Sequence, residues 1–130
     1  MYARRTLMSR GMKKHSTGIG GLTKTPAVKA PNYLNWIRQL PCCVCSNNTS
    51  TEAAHIRFGE PRAAKRPTGI GEKSDDRWAL PLCSHCHREQ HSMGERVFWR
   101  LQNVDPIFLS MALQLNALDT SAAEQIIEAW

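Results

Sequence analysis

Four cysteines stand as two C-x-x-C pairs, Cys42/Cys45 and Cys83/Cys86, with the second pair 38 residues beyond the first. A C-x-x-C turn places two sulfurs on one edge of a tetrahedron, so two such turns close a four-thiolate zinc site. Paired cysteines in a chain with no visible secretion signal are more often metal ligands than disulfides, and no βαβ pattern favours a redox pair. The long interval between the pairs leaves room for a hairpin and a loop. The fifth cysteine, Cys43, is expected to pack as a small apolar residue.

The length of 130 residues suits about one domain, and a chain this small commonly supplements its core with a metal. Formal charge is +6, but it is unevenly spread. Residues 1–31 carry seven Lys/Arg and no acid, whereas residues 101–130 carry four acids and no Lys or Arg. A cationic start joined to a mildly basic middle suits a polyanion, nucleic acid being the commonest. A solvated tail that aids solubility is the plainer alternative. No run of eighteen apolar residues occurs, so no membrane association is expected.

Residues 1–30, centred on Gly18-Ile19-Gly20-Gly21, read as a flexible basic arm. Asn32 is placed to cap a short helix carrying Tyr33, Leu34, Trp36, Ile37 and Leu40, and Pro41 ends it. Glu52–Phe58 and Trp78–Leu82 read as strands separated by a long loop. Helices are expected over Ser84–His91 and over about 95–103, 106–118 and 121–130, the last opened by the capping box Ser121-Ala-Ala-Glu124.

The histidines add a second chemistry. His87 and His91 stand four apart on a helix, a spacing that presents two imidazoles to one ion. His85 falls between the second pair of cysteines and is expected to support the metal sites or face DNA. His55, in Ala53-Ala54-His55-Ile56, offers a base, or else is a satisfied histidine of the core.

These motifs together resemble the HNH nuclease superfamily, whose core is a ββα-metal unit. The closer likeness is to small phage and prophage HNH proteins related to the recombination-promoting Ref nuclease. It rests on Tyr33-Leu-Asn-Trp-Ile-Arg-Gln-Leu-Pro-Cys-Cys-Val-Cys45, Ala54-His55-Ile56-Arg57, Lys73-Ser-Asp-Asp-Arg-Trp78, Pro81-Leu-Cys83, Cys86-His87 and Phe98-Trp99, and spans about residues 32–100. The resemblance implies an α+β fold, a small zinc-stabilised ββα-metal core with additional N- and C-terminal helices. The core would occupy residues 31–104, with 105–130 packing on it or on a partner.

Carried over residue by residue, His55 would be the general base, and His87 and His91 would hold a catalytic Mg²⁺, Mn²⁺, Ni²⁺ or Zn²⁺. Zinc on Cys42, Cys45, Cys83 and Cys86 would be structural. Two positions depart from the family pattern: Ala54 stands where many members place a metal ligand, and Arg77 or Trp78 stands near the middle Asn. Glu52, Asp75 or Asp76 could complete the shell. Cleavage would leave a 5′-phosphate and a 3′-hydroxyl.

Arg57, Arg62, Lys65, Arg66, Lys73 and Arg77 flank this site in sequence and are expected to meet DNA phosphates without reading bases. The implied setting is the cytoplasm of a bacterial host, with DNA as partner and a recombinase or a second copy of the chain as further candidates. Two other readings compete with the nuclease. One is a zinc-stabilised DNA-binding or recombination accessory module without cleavage; the other is a zinc-held protein adaptor.

Overall fold

A computed structural model describes residues 28–130. The expected basic arm therefore lies outside the described residues up to position 27. Within them the fold is α+β, five helices around one two-stranded antiparallel sheet. Helix α1 spans Pro31–Ile37, strand β1 Thr51–His55 and strand β2 Ala79–Cys83. Helices α2 (Ser84–Met93), α3 (Glu95–Gln102), α4 (Pro106–Leu115) and α5 (Thr120–Ala129) follow in order.

Proline sets the start of α1, because Pro31 itself occupies the first turn and Ala30, not Asn32, stands at the N-cap without a side-chain bond. Trp36, Ile37 and Leu40 are buried, as the helical spacing predicts. β1 ends at His55, three residues short of the strand expected from sequence, because the partner strand begins at Ala79 opposite it. The register places Thr51 against Cys83 and Glu52 against Leu82. Side chains alternate across a strand, so Glu52 and Ala54 share one face and His55 the other.

The segment between the strands is folded, not loose. Glu60 pairs with Lys65 as an isolated bridge around the 3₁₀ turn Pro61–Ala63, and Thr68 N–H donates to Arg57 O at 2.8 Å. Gly59 is fixed by this packing: a Cβ there would lie 2.9 Å from Pro67 N. A second 3₁₀ turn, Asp76–Trp78, leads into β2 and is capped by the Asp75 carboxylate.

The C-terminal helices join the same core. Ile107, Leu109, Leu113, Ala123 and Ile127 are buried in one cluster with Trp36, Leu80 and Phe98. Trp36 donates its indole N–H to Thr120 Oγ1 at 3.0 Å, and buried Ser110 donates to Arg77 O at 3.2 Å. α5 starts one residue earlier than expected because Asp119, not Ser121, accepts the Ala122 N–H. No helix among the described residues is long and apolar enough to cross a membrane.

Candidate metal centre and histidine sites

The hairpin brings the two cysteine pairs together. Cys83 ends β2 and opens α2, and its register partner Thr51 stands a short turn after Cys45. The first knuckle is tied to β2 by Cys43 N–H to Pro81 O at 2.9 Å, and closed by Ser46 N–H to Cys42 O at 2.9 Å. Ser46 takes a φ of 65°, the left-handed turn such a knuckle needs.

The Sγ atoms of Cys42, Cys45, Cys83 and Cys86 all lie within 4.8 Å of one another, with Cys45 and Cys83 3.6 Å apart. Four sulfurs bound to one zinc at about 2.3 Å would form edges of about 3.8 Å, so this donor set fits a tetrahedral metal such as zinc. Val44 N–H points at Cys42 Sγ and Cys86 N–H at Cys83 Sγ, at 3.4 and 3.5 Å. Burial pushes the Cys86 thiol up, reinforced by Cys83 and Cys42. Burial also opposes charge on Cys83, but the Cys86 N–H and the adjacent thiols outweigh it and hold that thiol below its ordinary value. Four sulfurs this close tolerate full ionisation only with a cation among them. Cys43 stays out of the cluster, its thiol pushed up by burial.

His87 follows the cluster directly, in the first turn of α2. Its Nδ1 lies 2.6 Å from Glu52 Oε1, and its Nε2 lies 3.2 Å from His91 Nε2. Helical spacing therefore does bring the two imidazoles together, edge to face with ring centroids 4.7 Å apart. Glu52 meets the ring on the side away from His91. His85 faces outward, 3.1 Å from Glu89 on its own helix.

His55 belongs to a different cluster. Its Nε2 lies 2.9 Å from Asp76 Oδ1, and the ring is partly exposed. Asp76 is itself held from two further directions: Oδ2 accepts the Ala30 N–H at 2.8 Å, and its backbone N–H donates to Val28 O at 2.9 Å. Asp76, weighed from sequence as a metal ligand, thus serves His55. Lys29, Arg57, Glu72, Lys73 and Ser74 line a depression of about 360 Å³ together with His55 and Asp76. Lys29 falls within the arm expected from sequence, and only the fold brings it here. No hydrogen bond among the described residues joins the His55 cluster to the His87–His91 pair.

The sequence-predicted cations differ in what they can offer. Arg57 is exposed and reaches Ser74 Oγ and Gly69 O at 3.2 Å each. Arg62 is paired with Glu60, Arg66 with Glu72 and Arg77 with Asp75, all three with exposed guanidinium groups. Lys73 is exposed. Lys65 is different: it is 6 % exposed, donates to Phe58 O at 2.6 Å and lies 5.8 Å from the centre of the Trp78 ring. Burial lowers its pKa, and its charge is spent inside the fold. Lys65 is a strut of the 59–72 segment, not an outward cation.

Fold and thiol cluster together define a small α+β domain built on paired cysteine knuckles. Residues 22–103 match the model of the DUF968 family, described as a protein of unknown function, and the chain belongs to that family. The matched span holds all four clustered cysteines, His55, His87 and His91, and stops before α4. No match is found among curated proteins or solved structures.

Proposed function

We propose that this protein is a metal-dependent DNA endonuclease of the HNH type, with zinc holding its hairpin and His55 as general base. The observation that carries the reading is the His55–Asp76 pair in a depression lined by Lys29, Arg57 and Lys73. With the Asp76 carboxylate accepting from Nε2–H, the lone pair of His55 sits on Nδ1, and the carboxylate stabilises the imidazolium formed on proton uptake. Neutral imidazole, with an ordinary pKa of about 6.5, suits a base working near neutrality.

In the proposed reaction His55 Nδ1 takes a proton from water as its oxygen bonds to phosphorus. The P–O3′ bond breaks, leaving a 5′-phosphate and a 3′-hydroxyl that gains a proton from solvent. Lys29, Arg57 and Lys73 hold the flanking phosphates. His87 and His91 are the residues that would hold a divalent cation, which when bound supplies charge stabilisation at the phosphate oxygens. Their 3.2 Å separation fits two ligands on one ion, since nitrogens about 2.1 Å from a metal lie about 3.0–3.4 Å apart between right-angle and tetrahedral geometry.

A second reading, a DNA-binding accessory module, is favoured by Ala54. Its position is 1 % exposed within the core and contributes no ligand. One assay separates the two. Zinc-loaded protein is incubated with supercoiled, linear and single-stranded DNA plus Mg²⁺, Mn²⁺ or Ni²⁺, beside His55→Ala. Cleavage lost in the variant while binding persists supports the nuclease; binding without cleavage by either protein supports the accessory module.

A further inference from the structure

We infer that Glu52 is a positioning residue that sets the His87–His91 pair to receive a divalent cation. This rests on the proposed cation at those two histidines. Glu52 and Ala54 lie on the same face of β1, two residues apart. Ala54 is sealed in the core, whereas the Glu52 side chain is about half exposed at the open end of the strand, beside α2.

The contact decides the tautomer. An ionised carboxylate only accepts, so Glu52 Oε1 at 2.6 Å fixes the proton of His87 on Nδ1 and leaves the lone pair on Nε2. That lone pair faces His91 Nε2 at 3.2 Å. Without metal, His91 Nε2–H can donate to that lone pair; with its proton on Nδ1 instead, His91 presents a second lone pair, and the two nitrogens together suit one cation. Glu52 cannot bind that same ion, because it meets the ring at the opposite nitrogen. Its role is the outer one in a carboxylate–histidine–metal arrangement, where loss of the carboxylate typically weakens metal affinity about 10–100-fold. Two nitrogen ligands leave the remaining positions to water or phosphate oxygens.

The test uses full-length protein carrying one zinc per chain, titrated calorimetrically with Ni²⁺ alone. Absence of a sulfur-to-nickel absorption band confirms that the cysteines keep their zinc. Wild type should take up one further ion, with affinity falling about 10–100-fold in Glu52→Ala and less in Glu52→Gln, which keeps an acceptor. Equal zinc content and melting temperature show that both variants fold. Unchanged Ni²⁺ affinity in Glu52→Ala would overturn the inference while leaving the histidine site standing. No second ion in wild type, or uptake unaltered by His87→Ala, would overturn the histidine site and the inference with it.

Discussion

Asp76 grips His55 through Oδ1 and the Ala30 backbone through Oδ2, at 2.9 and 2.8 Å. A single carboxylate thus fixes the imidazole and the chain that enters the domain. Asp76→Asn keeps the size of the side chain but loses the charge that supports an imidazolium. Cleavage of supercoiled DNA should fall about 10²-fold in Asp76→Asn and about 10²–10⁴-fold in His55→Ala, while both still bind DNA. Full activity of His55→Ala in a plasmid-nicking assay would remove His55 from the reaction, and full activity of Asp76→Asn would remove the need for the Asp76 charge.

Zinc should be bound at one ion per chain and be needed for the fold. Cys45→Ser or a strong chelator should remove it and abolish the cooperative thermal transition, because metal capture by such sites supplies on the order of 10 kcal/mol. Cys43→Ser should keep full zinc, since Cys43 lies outside the cluster. Metal content by atomic emission checks both.

The last two helices should unfold with the zinc domain, not separately. Leu113 is fully buried, and Leu113→Ala should cost about 2–5 kcal/mol in a single denaturant transition. Thr120→Ala, which removes the partner of the Trp36 indole, should cost about 1 kcal/mol. A biphasic transition would show that α4 and α5 form a unit of their own.

Acid stability should depend on Arg77. Burial works against charge on Asp75, but the Arg77 guanidinium and backbone N–H outweigh it and hold the Asp75 carboxyl below its ordinary value. The folded value lies below the unfolded one, so the stability contributed is present above the unfolded value and vanishes as pH falls through the folded one. Arg77→Ala should therefore unfold at higher pH than wild type when zinc-loaded protein is acidified under fluorescence. Coincident acid curves would contradict this.

Lysines 65 and 73 should part company in DNA binding. Lys73→Ala should lower the slope of log affinity against log salt by about one ion. Lys65→Met should leave that slope unchanged and show its effect in the melting temperature, because its ammonium is occupied by Phe58 O.

Much of this was legible in the chain. Fixed-spacing motifs transferred directly: C-x-x-C pairs meet because a hairpin returns the chain, and residues four apart on a helix share a face. The helix of Trp36 and Ile37 was visible from its period. What sequence could not show was pairing across distance. Nothing near His55 announces Asp76, 21 residues on, and Lys29 reaches the same depression only because Val28 and Ala30 are bonded to Asp76. Lys65 looked like its cationic neighbours until the Glu60–Lys65 bridge folded it inward. Caps were misplaced where a better acceptor stood close by, as Asp119 does before Ser121.

The bonds from Val28 and Ala30 to Asp76 also work as a mooring. Six of the seven basic residues in positions 1–31 lie upstream of it, the seventh being Lys29. Lys29 stands between the two bonded residues, so the mooring fixes its charge at the rim of the His55 depression.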